Sequence, residues 1–398
     1  MLILSKHLRR LQITTNPKSI SRLLPNPQPP IPTSPNPSLY SSKTKSKKPK
    51  KKKKKNQKPT PEQDHQFNQC ISNLPPRPTP EDLSLALSLQ PDPFVRLRLF
   101  HYASNLPRFR HDSSTYLPVV RSLASSPSTL HDLDSIVSLA LSSSTTPSED
   151  LFNAIIESYA RLRKVSRLVN VYTHMRRCGK CRPSLVTYNL LFDALLGRGP
   201  NSTINYAYME NVRCLFRQML DDGIEPDVSA LNSMVAGYVG SMRVNDALRV
   251  FHQMGGVVYK CAPDAETYGH LIHGLCAEGR TENAREIFGE MGEKGFVLGE
   301  RAYNSMVCAV AVNGEVDKAV RLVWEMKEHG VAVCETTHRT VVEEVRRTGG
   351  EVEVRRLLTE MREGGILDGL ACRRLLCDGS GRVSSLNFNA RVGHRRFG

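Results

Sequence analysis

Apolar residues along this chain fall into short stripes that come in pairs. Tyr268, Leu271, Ile272 and Leu275 stand at i, i+3, i+4 and i+7, the spacing that lines one face of a helix. Gly279 interrupts. Ala284, Ile287, Phe288 and Met291 then repeat the spacing on a second helix, and Gly295 stops that helix in the manner of a C-terminal cap. The unit is a helix–turn–helix pair. "VTYNLLFDALLGRG" from Val186 and "ETYGHLIHGLCAEG" from Glu266 are two versions of its first half.

The pair recurs in register. Phe152, Ile155, Ile156 and Tyr159 lead to Leu168, Val171, Tyr172 and Met175, and Tyr188, Leu191, Phe192 and Leu195 lead to Val212, Leu215, Phe216 and Met219. Leu231, Met234, Val235 and Tyr238 lead to Ala247, Val250, Phe251 and Met254. Tyr303, Met306, Val307 and Val310 lead to Ala319, Leu322, Val323 and Met326, and His338, Val341, Val342 and Val345 lead to Val354, Leu357, Leu358 and Met361. A weaker copy uses Tyr116, Val119, Val120 and Leu123, then Leu133, Ile136, Val137 and Ala140; before it, "DPFVRLRLFHYA" reads as a lone second helix. The units run 113–148, 149–184, 185–227, 228–264, 265–299, 300–334 and 335–369, the last three at 35 residues each. Unit 185–227 has 43 residues, and the extra ones are expected in a loop within "GRGPNSTINYAYMEN".

One such pair cannot bury its apolar stripe alone, whereas stacked pairs bury a continuous core between neighbours. The expected fold class is therefore all-α: a right-handed α-solenoid of stacked helix–turn–helix repeats, its groove lined by the first helices. The Met and aromatic columns are core, and no cofactor is expected on them.

Charge changes the picture only at the N-terminus. The net charge of +16 is confined to residues 1–61, which hold sixteen Lys and Arg and no acid; the remaining 39 basic residues are matched by 39 acidic ones. The body alone gives no electrostatic argument for nucleic acid. "MLILSKHLRRLQ" sets Leu4, Leu8 and Leu11 on one helical face and is followed by Ser-, Thr- and Pro-rich sequence, the pattern of an organelle transit peptide over residues 1–42. The lean is towards a mitochondrion, with a plastid as the alternative and a nucleus behind both. "KSKKPKKKKKK" lies in a stretch, 43–80, expected as a basic disordered linker; its other readings are a nuclear signal or a nucleic-acid arm. Residues 81–112 are expected as an N-terminal helical cap and 370–398 as a C-terminal cap with a basic tail. No apolar run reaches the roughly 20 residues that span a bilayer, so no membrane insertion is expected.

The first helices "VTYNLLFDALL" and "AETYGHLIHGLC", the second helices "ALRVFHQM" and "AREIFGEM", and the junctions "DDGIEPDV" and "KCAPDAETY" together resemble pentatricopeptide repeats, over about residues 113–369. With the transit-like tail, the resemblance is to plant organellar members of the P type. The related tetratricopeptide pattern places a Trp on the first helix, whereas the one Trp here is Trp324 on a second helix. The resemblance implies single-stranded RNA binding at one base per repeat, read by the fifth residue of a repeat and its last. Carried onto this chain, the reading residues are Asn153 with Ser184, Asn189 with Asp227, Asn232 with Asp264, and Asn304. An Asn amide offers a donor and an acceptor to a base edge, and an Asp nearby can order it. By resemblance, Asn with Asp prefers uracil and Asn with Ser cytosine or another pyrimidine, so the implied partner is pyrimidine-biased single-stranded RNA. Val186, Ser229, Glu266 and Arg301, three positions earlier than the reading Asn or its counterpart, share its helix face. A plainer reading also covers part of this: Asp227 and Asp264 each follow a Pro and precede a helix, where Asp is a good N-cap.

The later junctions "GFVLGE", "GVAVCE" and "GILDGL" lack the Pro–Asp pair. Gly269 with Gly299, and Arg339 with Gly369, offer no recognisable reading pair.

Candidate chemistry is sparse. Cys178 and Cys181 form a lone CxxC with no second pair to complete a zinc site. The chain has no HxE motif of the kind zinc deaminases use, and "GSGR" lacks the rest of a phosphate-binding loop. No catalysis, metal or cofactor is expected. Two functions remain open: an organellar RNA-binding adaptor in transcript stabilisation, processing or translation, or a structural protein-binding subunit of an organellar ribonucleoprotein such as the mitochondrial ribosome. Both imply protein partners.

Overall fold

A computed structural model describes residues 59–143, 145–196, 202–256 and 258–377, leaving out the side chains of 202–207. The expected transit peptide, the lysine run and the end of the basic tail lie outside the described residues. Among these residues every regular element is helical. The chain divides into two compact units, Met1–Arg198 with Glu210–Glu225, and Gly199–Met209 with Pro226–Gly398.

In the first unit the described elements are α1 (Pro61–Asn73), α2 (Pro80–Leu89), α3 (Pro93–Ser104), α4 (Ser113–Leu123), α5 (Leu130–Ser142), α6 (Glu149–Arg161), α7 (Val165–Cys178), α8 (Leu185–Leu196) and the end of α9 (Ser202–Asp221). First helices stack side by side, α2 on α4, α4 on α6 and α6 on α8; α3, α5 and α7 each pack on the first helix of their own hairpin. In the second unit come α10 (Val228–Gly240), α11 (Val244–Gln253), α12 (Ala265–Ala277), α13 (Thr281–Glu293), α14 (Glu300–Val312), α15 (Val316–Glu328), α16 (Glu335–Glu363) and α17 (Gly369–Cys377). There the stacking runs α10 on α12, α12 on α14 and α14 on α16. α16 is two helices joined at Gly350, whose φ of +70° and ψ of −172° break the helix and return the expected hairpin for the last repeat.

The stripes become the core. Met175, Met219, Met254, Met291, Met326 and Met361 are all buried, as are Phe152, Tyr188, Leu231, Tyr268, Tyr303 and His338 at the corresponding first-helix position. Burying each such apolar side chain contributes about 1.5–3 kcal/mol. The buried tyrosines keep a polar handle. Tyr268 donates to Glu290 Oε1 at 2.6 Å and Tyr303 to Glu325 Oε1 at 2.7 Å, in each case an acid on the second helix of the same repeat. Ile287, Phe288 and Leu322 are only half-buried, because second helices are flanked by fewer neighbours than the first helices between them. α12 approaches α10 closely at Gly274, where a Cβ would sit 2.8 and 2.9 Å from the two Val239 methyls. Gly279 and Gly295, with φ of +74° and +75°, end α12 and α13 in the left-handed conformation that their positions implied.

Three expectations are corrected. Of the linker expected over 43–80, the described part holds α1, opened by a capping box at Thr60, and the rest up to residue 58 lies outside the described residues. α1 buries no residue fully, but it is tied to α3: Asp64 pairs with Arg98 at 2.7 Å, and the Phe67 ring meets both Tyr102 and the Arg98 guanidinium. The lone second helix before residue 113 is not alone. α2 precedes it, buries Leu83 and Leu87, and stacks on α4 as the other first helices do. The extra residues of unit 185–227 are not mainly a loop either, because α9 begins at Ser202 and runs 20 residues. Adding turns to an existing helix gains one hydrogen bond per residue fixed, and nothing from Ser202 onward breaks it.

Candidate nucleic-acid interface

Of the expected reading pairs, Asn232 and Asp264 meet directly, where one repeat hands over to the next. The clearest junction joins α10 to α12. Asp264 is the N-cap of α12, and its Oδ1 accepts from the Thr267 backbone N–H at 2.9 Å. Asn232, on α10, reaches the same oxygen: its Nδ2 donates to Asp264 Oδ1 at 3.0 Å. The Thr267 hydroxyl lies 2.5 Å from Asn232 Oδ1 and 2.9 Å from Asp264 Oδ1, and it accepts from the Asp264 backbone N–H at 3.1 Å. Its single proton serves one of those two acceptors at a time. Burial alone would raise the Asp264 carboxyl, but the Thr267 amide, the Asn232 amide and the Thr267 hydroxyl outweigh it and hold the group below the usual carboxylate range. The Asp both caps the helix and orients the amide, so the two readings of this residue are compatible. Asn232 is not solvent-facing, however. It is only 4% exposed, with one N–H and one lone pair left over.

Asn153, on α6, is held in a similar way. The Thr187 hydroxyl donates to Asn153 Oδ1 at 2.7 Å, and Asn153 Nδ2 lies 3.4 Å from Glu149 Oε1. Ser184 takes part through its backbone, its N–H donating to Thr187 Oγ1 at 3.4 Å. Asn189 is half-buried on α8, in the first unit. Asp227, in the second unit, caps α10 by accepting from the Ala230 N–H at 2.8 Å.

Asn304, on α14, departs from the pattern. Its Nδ2 donates to the backbone oxygens of Glu300 at 2.8 Å and Ala332 at 3.1 Å, and its Oδ1 accepts from the Cys334 N–H at 2.9 Å. Both amide protons are committed and the residue is 8% exposed. What remains for a ligand is a lone pair.

Sequence reasoning missed the threonines. Thr187, Thr267 and Thr337, at the third position of their repeats, are fully buried. Two of them complete the hydrogen bonding of the Asn in the preceding repeat. The recurring Thr–Tyr dipeptide in "VTY" and "ETY" carried the signal, but only its Tyr stood in an apolar stripe. The second position is the exposed one: Val186 is 58% exposed, and Ser229, Glu266 and Arg301 are also exposed. Cys178 and Cys181 are free thiols. Among the described residues no group of three or more His, Cys, Asp and Glu is placed to hold a metal ion. No described helix is long and apolar enough to cross a membrane.

Models of the pentatricopeptide repeat match residues 229–256, 260–292 and 301–331, and a pentatricopeptide repeat domain model matches 149–198. The matched stretches are similar to pentatricopeptide repeats. They contain six of the seven expected reading residues and both Asn–Thr contacts; Asp227 falls between two matches. A mitochondrial pentatricopeptide repeat-containing protein of Arabidopsis thaliana is 52% identical over 234 residues, covering 58% of this chain and 52% of that protein. Another from the same plant, also named mitochondrial, is 30% identical over 190 residues, covering 48% and 50%. The chain thus spans about half the length of these two relatives. The crystal structure of the pentatricopeptide repeat protein PPR10 from maize aligns with a TM-score of 0.49 at 18% identity, covering 80% of this chain and 48% of that one.

Proposed function

We propose that this protein is an organellar single-stranded RNA-binding adaptor that acts in transcript stabilisation, processing or translation and performs no catalysis of its own. The observation that carries the reading is the α10–α12 junction. There a side-chain amide is fixed by the carboxylate that ends its own repeat and by a hydroxyl of the next, and it keeps one donor and one acceptor for a base edge. Asn232 with Asp264 is assigned to uracil, Asn153 with Ser184 to cytosine, and Asn189 to a pyrimidine. Asn304 contributes least, with its two amide protons engaged. The names of the two Arabidopsis relatives support a mitochondrial location.

Three base contacts, each discriminating by ~1–3 kcal/mol if base readout in DNA is a guide, give weak and pyrimidine-biased binding. Selectivity in the cell then depends on a protein partner. The test is binding of the purified chain to homopyrimidine and homopurine RNA. Wild type should prefer the pyrimidine strand, and Asn189→Thr with Asn232→Thr should shift preference towards purine. Equal binding of both strands before and after the exchange would remove the reading. It would favour instead the structural subunit of a ribonucleoprotein, which the repeats without a reading pair already suit.

A further inference from the structure

Between the two asparagine junctions of the second unit lies one with no reading side chain. Gly269 on α12 and Gly299 before α14 leave it open: a Cβ at Gly269 would meet only the Ala302 Cβ, at 3.8 Å, and one at Gly299 would meet nothing within 4 Å. Polar groups gather beside this opening. Arg301, exposed on α14, donates from Nη2 to His273 Nε2 at 2.8 Å. His273 Nδ1 lies 2.6 Å from Ser305 Oγ, and Ser305 Oγ donates to the Arg301 carbonyl at 2.9 Å.

The chemistry of the donors fixes the protons. A guanidinium cannot accept, so Nε2 of His273 is the lone-pair end and Nδ1–H donates to Ser305. The imidazole is neutral and Arg301 spends its charge on it. Other arginines of the same unit face acids, as Arg243 does with Asp246 and Arg346 with Glu351. Among the described residues no carboxylate pairs with Arg301. Burial first, and then the Arg301 charge and His270, push His273 down to about 4. None of the groups acting on it comes from α10, α11 or α13, which also pack on α12. His270, one turn earlier on the same face, lies 3.5 Å from Glu266, with Asp264 and Arg301 also acting on it.

We infer that Arg301 and His273, the latter oriented by Ser305, hold a phosphate of the RNA backbone at this junction, in place of a base. The inference rests on the RNA-binding reading. An anionic oxygen set between Arg301 Nη2 and His273 Nε2 accepts from the first. It also makes protonation of the second favourable, replacing one charge-assisted hydrogen bond with two. The arrangement suits an anion better than a base, because the opening presents the Arg301 guanidinium and, once protonated, His273 Nε2–H, while the glycines bring no side chain to read a base. It also gives the repeat without a reading pair a task, that of carrying the strand past an unread position.

The experiment uses the full chain and a labelled oligouridine RNA, titrated across salt concentration and pH, with wild type, Arg301→Gln, Arg301→Lys and His273→Gln. Circular dichroism melts check that each variant is folded. If a phosphate is held, Arg301→Gln lowers the slope of log affinity against log salt by ~0.7, the loss of one phosphate contact on a single strand. Arg301→Lys keeps the slope. Wild-type affinity rises as pH falls from neutrality towards the His273 value, and His273→Gln abolishes that rise. If RNA is bound with slope and pH dependence unchanged in Arg301→Gln and His273→Gln, the phosphate site is wrong and the RNA reading stands. If wild type binds no RNA at any salt concentration, both are wrong.

Discussion

The α10–α12 junction and the α14–α16 junction hold their fifth-position asparagines by different means. Asn232 is held by side chains, the Asp264 carboxylate and the Thr267 hydroxyl. Asn304 is held by backbone, two carbonyl oxygens and the Cys334 amide. The apolar columns beneath are the same in both, with Met254 and Met326 buried on the second helices and Leu231 and Tyr303 on the first. A repeat can therefore lose its last-position Asp without losing its packing, because the main chain takes over the amide. What it loses is a donor. Asn232 keeps an N–H and Asn304 keeps none, so drift at one position of the repeat changes what the neighbouring position can offer a ligand.

The comparison breaks first if the shared packing is not what carries both junctions. Met291 lies on the repeat between them and is 1% exposed. Met291→Asp places an unpaired charge in the stack, at a cost of several kcal/mol. The expected result is loss of the cooperative thermal transition of the second unit, read by circular dichroism. A melting profile like wild type would put this column on the surface and the repeat register in error.

A smaller effect sharpens the difference. Thr267 and Thr337 occupy the same repeat position and are equally buried, but their hydroxyls have unequal partners. Thr267 serves an amide and a carboxylate, whereas Thr337 has the Cys334 and Cys308 sulfurs at 3.2 and 3.5 Å. Thr267→Val leaves Asn232 Oδ1 without its donor in a buried site and should cost ~1–3 kcal/mol. Thr337→Val removes weak sulfur contacts and should cost clearly less in the same urea titration. Equal losses would mean that the hydroxyl is only filling space.

How far the sequence carried is visible in these same residues. The stripes were legible because each apolar position is set by helical period within a dozen residues of chain, and nearly every striped residue is buried. The asparagines were found by their resemblance to repeats, but their burial was not foreseen. Asn232 is covered and paired by Thr267, 35 residues later, and a partner at that distance leaves no local pattern. α1 was hidden for a related reason. "PEQDHQFNQCISN" carries no stripe strong enough to predict burial, and what docks it is Arg98 lying against Phe67 and paired with Asp64. The lengthened α9 was misread because the Gly–Pro in "GRGPN" signals a loop and says nothing about where the next helix starts.

The smallest expected effect concerns charge. Asp264 is a reading-position carboxylate whose pKa is held low in the folded chain, by donors that outweigh its burial. Since the unfolded chain takes up the proton more readily, the group adds stability that is complete above the unfolded value of about 3.9 and is lost as pH falls through the folded value. Cys334 and Gly299, at the equivalent position of the next repeats, have no carboxylate to contribute this. Asp264→Asn isolates the term. Asn is as good an N-cap as Asp, so the cap on α12 survives while the charge goes. The variant should lose a little stability at neutral pH and give up less than wild type on acidification, so that the two urea midpoints converge below pH ~4. Parallel midpoints down the whole acid limb would mean that the Asn232 amide and the Thr267 groups hold Asp264 no more tightly when it is ionised than when it is neutral. The carboxylate would then be a helix cap alone, and the distinction between the two asparagine junctions would reduce to which hydrogen-bond partner happens to be nearest.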